Sequence, residues 1–288
     1  MENMNEHEIC ILISTKDRAT ELAMLLQSLL YQTFQNFNVI IVDGSRPQPV
    51  YNVHFVFCMI NRLRLQGHKV LLETIQASGV CESRQKAVEL AIKYDEKEDL
   101  FLRIDDDTIL MPNYLEKLVE GINAGYDLVS GVTPQAFSPE IMRETKYVKP
   151  IINKISLNEN NELISIGDDC WATFDTEEIV PTHHFRSSAL YKKSIHTLHG
   201  INYKLGLSNV GFREEAFMSL KCIKAGLKLG VHTGAKYYHL QTPSGGCRMP
   251  NYELLVQADQ HQFNEWFKRT LAQNPNLLKD YDLKVIKQ

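Results

Sequence analysis

No stretch of this 288-residue chain approaches the roughly 20 consecutive apolar residues that span a bilayer. That excludes a transmembrane helix and permits, at most, peripheral contact with a membrane. There is no C-x-x-C pair. The six cysteines (Cys10, Cys58, Cys81, Cys170, Cys222, Cys247) are scattered, which argues against a zinc framework or a disulfide scaffold and predicts reduced thiols in a cytoplasmic protein. The opening residues, MENMNEHE, lack the basic and apolar layout of a signal peptide. Neither charge sign dominates. With 31 Lys and Arg against 35 Asp and Glu, the net charge is −4, so nucleic acid is not expected as a partner. Repeats, low-complexity tracts and an obvious linker are missing too. A chain that is 44% hydrophobic and 23% charged is ordinary globular material, and it is read as one domain.

Three consecutive aspartates, Asp105-Asp106-Asp107, end the apolar run Leu100–Ile104. Adjacent carboxylates repel one another unless a cation neutralises them, and Mg²⁺ or Mn²⁺ take oxygen ligands of this kind. On a continued strand Asp105 and Asp107 would face one way and Asp106 the other. By itself such a triplet reads equally well as a solvated turn.

The first half alternates strand and helix signals. Strands are predicted at Ile9–Ser14, Asn38–Val42, Lys69–Leu72, Leu100–Ile104 and Asp127–Val129. Helices are predicted at Arg18–Tyr31, Ser83–Tyr94 and Pro112–Gly121. Residues 53–60 are apolar and read less clearly. This order favours a mostly parallel sheet with helices on both faces. The stretch 133–180 is rich in proline and polar residues, with a hairpin suggested near Leu163–Ile166. Beyond it come a strand at Phe185–Tyr191, a helix over Arg213–Ala225, strands at Lys228–Val231 and Lys236–Leu240, and a terminal helix over 251–273 with Leu254, Leu255, Phe263, Trp266 and Phe267 as its apolar side. In open α/β sheets ligands bind beyond the carboxyl ends of the strands. The polar residues Ser14–Arg18, Asp43 and Asp105–Asp107 all stand at such ends.

Five segments carry a family likeness. ILISTKDR (Ile11–Arg18) resembles the first strand and polar turn of glycosyltransferase family 2. LLQSLLYQTFQNFNVIIVDGS (Leu25–Ser45), GVCESRQKAVELA (Gly79–Ala91) and LRIDDDTILMPNYLEKLV (Leu102–Val119) are similar to that family's next helix and strand, its G-x-x-x-A-R-N helix start and its D-x-D strand. GFREEAFMSLKCIKAG (Gly211–Gly226) looks like its G-x-x-E-D helix, with Glu215 standing for Asp and Lys221 for Arg. The likeness implies the Rossmann-like GT-A fold, with residues 9–131 as the nucleotide-sugar half, 132–248 as the acceptor half and 249–288 as a C-terminal helical segment.

It also implies roles. Asp105, Asp107 and His239 would hold Mn²⁺ or Mg²⁺, although a histidine after a tyrosine pair is by itself more often a core residue. Thr15, Asp17, Arg18, Asp43, Arg84, Asp105, Asp106 and Arg248 would bind the nucleoside diphosphate sugar, Arg248 from a closing loop at Gln241–Arg248. Glu215 would act as base, with Glu214 binding the acceptor or orienting its neighbour. Trp171 and His184 would contact the acceptor, along with His183, Arg186, Asp168 and Asp169. The implied activity is metal-dependent, inverting transfer of a sugar, foremost from a UDP-sugar, to a glycan, a lipid-linked sugar or a small molecule. Two competing readings are a sugar-phosphate nucleotidyltransferase and an inactive nucleotide-sugar-binding module. The first is disfavoured because Ser14–Arg18 has no glycine to cradle a triphosphate, the second because both acidic clusters are present.

Overall fold

A computed structural model describes residues 7–76, 79–94, 97, 99–133, 154–160, 162–166, 177–185, 187–204, 206–279 and 282–285. Its first half runs β1 (Ile9–Thr15), α1 (Ala19–Leu30), β2 (Phe37–Asp43), α2 (His54–Leu65), β3 (Val70–Thr74), α3 (Val80–Tyr94), β4 (Leu100–Asp105), β5 (Thr108–Leu110), α4 (Tyr114–Asn123) and β6 (Leu128–Val132). The second half adds β7 (Lys154–Leu157), β8 (Leu163–Ile166), β9 (Ile179–Pro181), β10 (Ser188–Lys192), α5 (Ser194–Thr197), α6 (Glu214–Lys224), β11 (Leu229–His239), α7 (Tyr252–Gln273) and β12 (Asp282–Val285).

The unbroken apolar runs are explained by burial on both faces. In β1, Ile9, Ile11 and Ile13 enter one core with α1, α2 and α4, whereas Cys10 and Leu12 enter the other with α3, α6 and α7. Strand periodicity of two produces this split. The same parity operates in β4. Leu100, Leu102 and Ile104 take the α1 side and Phe101 the α3 side, so Arg103 and Asp105 are carried toward α3 and α6.

The main sheet has the order β3-β2-β1-β4-β10-β6-β11-β5, with β9 beside β11. Strands β3, β2, β1 and β4 are mutually parallel. Beyond them the sheet is mixed, because β10 runs antiparallel to both β4 and β6. Strand order reverses around β1, whose neighbours β2 and β4 lead in opposite directions, and this makes the crevice beyond Thr15 and Asp105 the expected ligand site.

Several sequence expectations change. Of residues 53–60, 54–60 belong to α2. The two strands expected at 228–231 and 236–240 are one, β11, whose pairing with β6 shifts register between Val231 and Lys236. This bulge turns the strand away from β6 and onto β5, setting His239 opposite Thr108. Only Asp105 of the aspartate triplet continues β4. Asp106 and Asp107 form the turn between β4 and β5, and β5 was missed because three residues carry too little pattern. Leu254 is exposed on α7. The hairpin near Leu163 is present as β7–β8, and β12 joins it parallel to β7.

His196 on α5 is buried among Phe101, Tyr191 and Tyr203. Burial pulls its pKa from 6.5 down to about 4, against the opposing hydrogen bond to Asn202. A folded-state value below the unfolded one means stability is complete above pH 6.5 and is lost as pH falls toward 4. The gap is worth roughly 3 kcal/mol. Urea unfolding at pH 7.5 and pH 4.5 should show a smaller acid loss in His196→Phe than in wild type by most of that amount. Equal losses would remove His196 as the cause.

Candidate active site

Two cavities open beyond the strand ends and share Val80, Arg84, Asp105, His239 and Cys247 as wall. The first also has Thr15, Lys16, Arg18, Arg103, Asp106, Asp107 and Arg248. The second has His184, Phe212, Arg213, Glu215 and Tyr252. Asp105 and His239 thus stand between a cavity holding the aspartate turn and a cavity holding Glu215.

Among the described residues, Asp105, Asp107 and His239 form the one group of three that offers metal ligands, with the ligand atoms all within 4.8 Å of one another. His239 Nε2 lies 3.0 Å from Asp107 Oδ1. Burial disfavours a charged imidazole, but the Asp107 carboxylate, with Asp105 beyond it, overcomes this and raises the pKa of His239. Two carboxylates and an imidazole are a donor set suited to Mn²⁺, and Mg²⁺ accepts the carboxylates.

Arg18 organises the other side of the turn. Its Nη1 is 3.1 Å from Asp106 Oδ1 and 3.0 Å from Asp107 Oδ2. Its Nε and Nη2 donate to the carbonyls of Ser244 and Thr242 at 3.0 and 3.2 Å. Thr15 Oγ1 donates to Asp106 Oδ2 at 2.8 Å. Burial raises the Asp106 pKa to about 7, and Asp107 adds to this against the pull of Arg18 and Thr15. The loop after β11, expected to close over the site, is pinned here. Gly246 N donates to Lys16 O at 2.7 Å, and a Cβ on Gly245 would meet Arg18 Cγ at 2.7 Å and the Asp17 carbonyl at 2.8 Å. Gly245 also has φ of +71°, so glycine is required there twice over.

The acidic pair arrives from α6. Glu214 is 1% exposed and lines neither cavity. Its carboxylate takes Arg103 Nη2 at 2.7 Å and pairs with Arg84 Nη1. Glu215 accepts from Arg103 Nη2 at 3.0 Å and keeps 24% of its side chain exposed. Arg84 Nη2 reaches Asp105 Oδ1 at 2.6 Å. Arg84 and Arg103 therefore bridge Asp105 to the acidic pair, joining segments more than a hundred residues apart. Burial would raise the pKa of both Asp105 and Glu215, but Arg103 and Arg84 outweigh it and hold both carboxylates below their ordinary values.

Sequence reasoning missed Arg103. Its signal was available, since a lone charge inside the buried run LFLRI demands a partner. Arg103→Met should lower the unfolding free energy by roughly 3–5 kcal/mol, the usual result of stranding a buried partner. Adding Glu214→Leu should recover part of it in the same urea titration, and no recovery would mean that the cost is packing alone.

Other expected site residues lie elsewhere. Asp43 is buried, with its oxygens accepting from Ser45 N and Val50 N at 2.8 and 2.7 Å, and it does not line the first cavity. Asp17 is exposed at φ of +56° and accepts from Arg46 N at 3.0 Å; it shapes the turn rather than the cavity. His183 and His184 are buried between β9 and β10, and only His184 reaches the second cavity. Arg248 lines the first cavity with its guanidinium 4.9 Å from the Tyr252 ring centre. Trp171, Asp168, Asp169 and Arg186 fall outside the described residues.

A sheet reversing around β1, with acidic residues at the adjacent strand ends and a helix-borne carboxylate pair facing them, defines a GT-A glycosyltransferase. The sequence model described as glycosyl transferase family 2 matches residues 10–179, more than half of the chain. The protein belongs to that family and is a glycosyltransferase. No curated protein matches the chain. Solved structures of TarS from S. aureus share the fold. TarS 1–349 in complex with UDP-GlcNAc aligns with a TM-score of 0.57 at 12% identity, covering 96% of this chain and 73% of that one. TarS 1–349 in complex with UDP gives 0.52 at 13%, covering 93% and 73%. Another TarS structure gives 0.54 at 15% over 82% of this chain, and there the match spans only 37% of the TarS chain. Among the described residues no helix is long and apolar enough to cross a membrane.

Proposed function

We propose that the protein moves a sugar from a nucleoside diphosphate sugar, foremost a UDP-sugar, to an acceptor hydroxyl with inversion and with dependence on Mn²⁺ or Mg²⁺. The observation that carries this is the convergence of Asp105, Asp107 and His239 within 4.8 Å, with Asp105 and His239 on the wall common to two cavities and Asp107 lining the first. Bound there, a divalent ion would neutralise the charge that develops on the departing diphosphate. Thr15 and Arg18 fix the aspartate turn, and Arg84 and Arg248 supply positive charge toward the phosphates. Glu215 faces the second cavity and takes the proton of the attacking hydroxyl. Glu214 serves that step by holding Arg84 and Arg103 in place rather than by touching the acceptor. The complexes of TarS with UDP-GlcNAc and UDP support the choice of nucleotide.

The acceptor, whether a glycan, a lipid-linked sugar or a small molecule, enters beside His184. Residues 9–131, 132–248 and 249–288 act as one unit, since strands from the first two share a sheet and α7 packs beneath both. The thiols of Cys58, Cys81, Cys222 and Cys247 are free, which favours a cytoplasmic setting.

Thermal-shift screening of nucleoside diphosphates and their sugars, with and without Mn²⁺, tests the reading. A ligand at a hundred times its Kd contributes about 2.7 kcal/mol, so UDP or UDP-GlcNAc should raise the Tm, and more so with the metal. The reading fails if no nucleotide shifts the transition under either condition.

A further inference from the structure

Helix α7 lies wholly beyond residues 10–179, yet it grips the segment that delivers the acidic pair. Asp259 is fully buried on α7. Its Oδ1 accepts from Ser208 N at 2.6 Å, and its Oδ2 accepts from Ser208 Oγ at 2.7 Å and from Phe212 N at 2.9 Å. The next residue, Gln260, accepts from Arg213 Nε at 2.8 Å. All of these contacts fall within the six residues, Ser208–Arg213, that lead into α6.

That segment needs an external hold. Gly211 and Arg213 both have positive φ, +64° and +70°, and for arginine this conformation is unfavourable by roughly 1 kcal/mol or more. The N-terminus of α6 has no side-chain cap of its own at Arg213. The segment also touches the opposite wall of the site, where Asn209 O accepts from Val80 N at 3.2 Å, one turn before Arg84. Asp259 takes three donors from a strained turn whose following residues are Glu214 and Glu215. A buried carboxylate accepting that many hydrogen bonds is a rigid anchor.

We propose that Asp259 is a positioning residue for sugar transfer. By holding Ser208 and Phe212 it fixes the first turn of α6, so that Glu215 meets the acceptor hydroxyl while the metal and nucleotide site at Asp105–Asp107 is left untouched. This rests on the reading of Glu215 as base. Misplacement of a catalytic group by about 1 Å can cost about a hundredfold in rate, so the effect belongs to turnover rather than to donor affinity.

The test is Asp259→Asn in the full chain. The amide keeps the size of the carboxylate, but its NH₂ cannot accept, so whichever way it turns it loses the bond from Ser208 N or the bond from Phe212 N. Three readouts are compared with wild type: amide hydrogen exchange of peptides covering 206–217, Kd for UDP with Mn²⁺, and UDP release from UDP-GlcNAc with Mn²⁺. The proposal expects exchange in 206–217 to quicken by about tenfold or more with β1 and β4 unchanged. It expects the Kd to stay within about twofold and kcat to fall by about tenfold or more. Unchanged exchange overturns it, as does faster exchange with unchanged kcat, or a Kd that weakens in step with kcat. Should Asp259→Asn not fold, Ser208→Ala, which removes the 2.7 Å contact to Asp259 and the 3.2 Å bond that Ser208 Oγ accepts from Val210 N, is judged by the same criteria. Glu265→Gln, on the exposed side of α7, leaves all three values at wild type. If wild type is inert toward every nucleotide sugar, the functional reading falls and the exchange data alone judge whether Asp259 holds the turn. If Glu215→Gln turns over normally, the base assignment falls instead.

Discussion

Asp107→Ala should abolish Mn²⁺-dependent binding of UDP and reduce sugar transfer to background if Asp107 is the metal ligand proposed above. Asp107 is buried in the β4–β5 turn, and each of its oxygens is committed. Oδ1 faces His239 Nε2 at 3.0 Å, and Oδ2 faces Arg18 Nη1 at 3.0 Å and the Thr242 amide at 3.3 Å. Alanine would remove one of the two carboxylate ligands proposed for the metal and also a group that tethers the loop after β11 to the turn. Metal stabilisation of a leaving group is worth several kcal/mol, on the order of 10³-fold or more in rate. Asp107→Asn separates the two losses, because the amide retains an oxygen for the Thr242 amide but carries no charge to offer the metal. Calorimetric titration of UDP with and without Mn²⁺ measures both variants. A variant that binds Mn²⁺–UDP as tightly as wild type would sink the metal-site assignment.

Glu215→Gln should have the second largest effect. It should lower kcat by about 10²–10⁴, the usual worth of a positioned base, with donor Kd unchanged within about twofold. Glutamine keeps the shape and an acceptor for Arg103 but cannot take a proton. Arg103 holds the Glu215 pKa below 4.5 against the opposing effect of burial, so the carboxylate is ionised throughout the neutral range. Turnover that depends on it should persist as pH falls until below the ordinary carboxylate range. Single-turnover kinetics on saturating donor separate turnover from binding, and a normal rate in Glu215→Gln would refute the assignment.

The elements that were legible are those whose pattern is local. β1, β2 and β4 announce themselves because a strand buried on both faces must be apolar throughout. α1 and α3 do so because one face repeats at helical spacing. The failures share a cause. β11 looked like two strands because the extra residues between Val231 and Lys236 break its pairing with β6 while the chain continues as one strand. β5 owes its conformation to pairing with β11 at Tyr237–His239. The surroundings of Asp43 and Asp17 were not legible either: backbone amides of Ser45 and Val50 bond the oxygens of Asp43, and the left-handed Asp17 turns to Arg46, and neither environment is written in the residue type.

Sequence alone determined which side chains could do chemistry: a carboxylate triplet at a strand end, an acidic pair at a helix start, and a histidine closing a late strand, in an order that resembles one family. It also determined the two-sided core, because the hydrophobic demand of each strand is met residue by residue. The tertiary structure decided which of those groups meet. The bulge in β11 sends His239 to Asp107, the parity of β4 sends Arg103 and Asp105 toward α3 and α6, and Arg84 and Arg103 then draw Glu214 and Glu215 against Asp105. Such meetings depend on pairing register and on the Coulombic need of buried charges for partners, and both are properties of the folded chain as a whole.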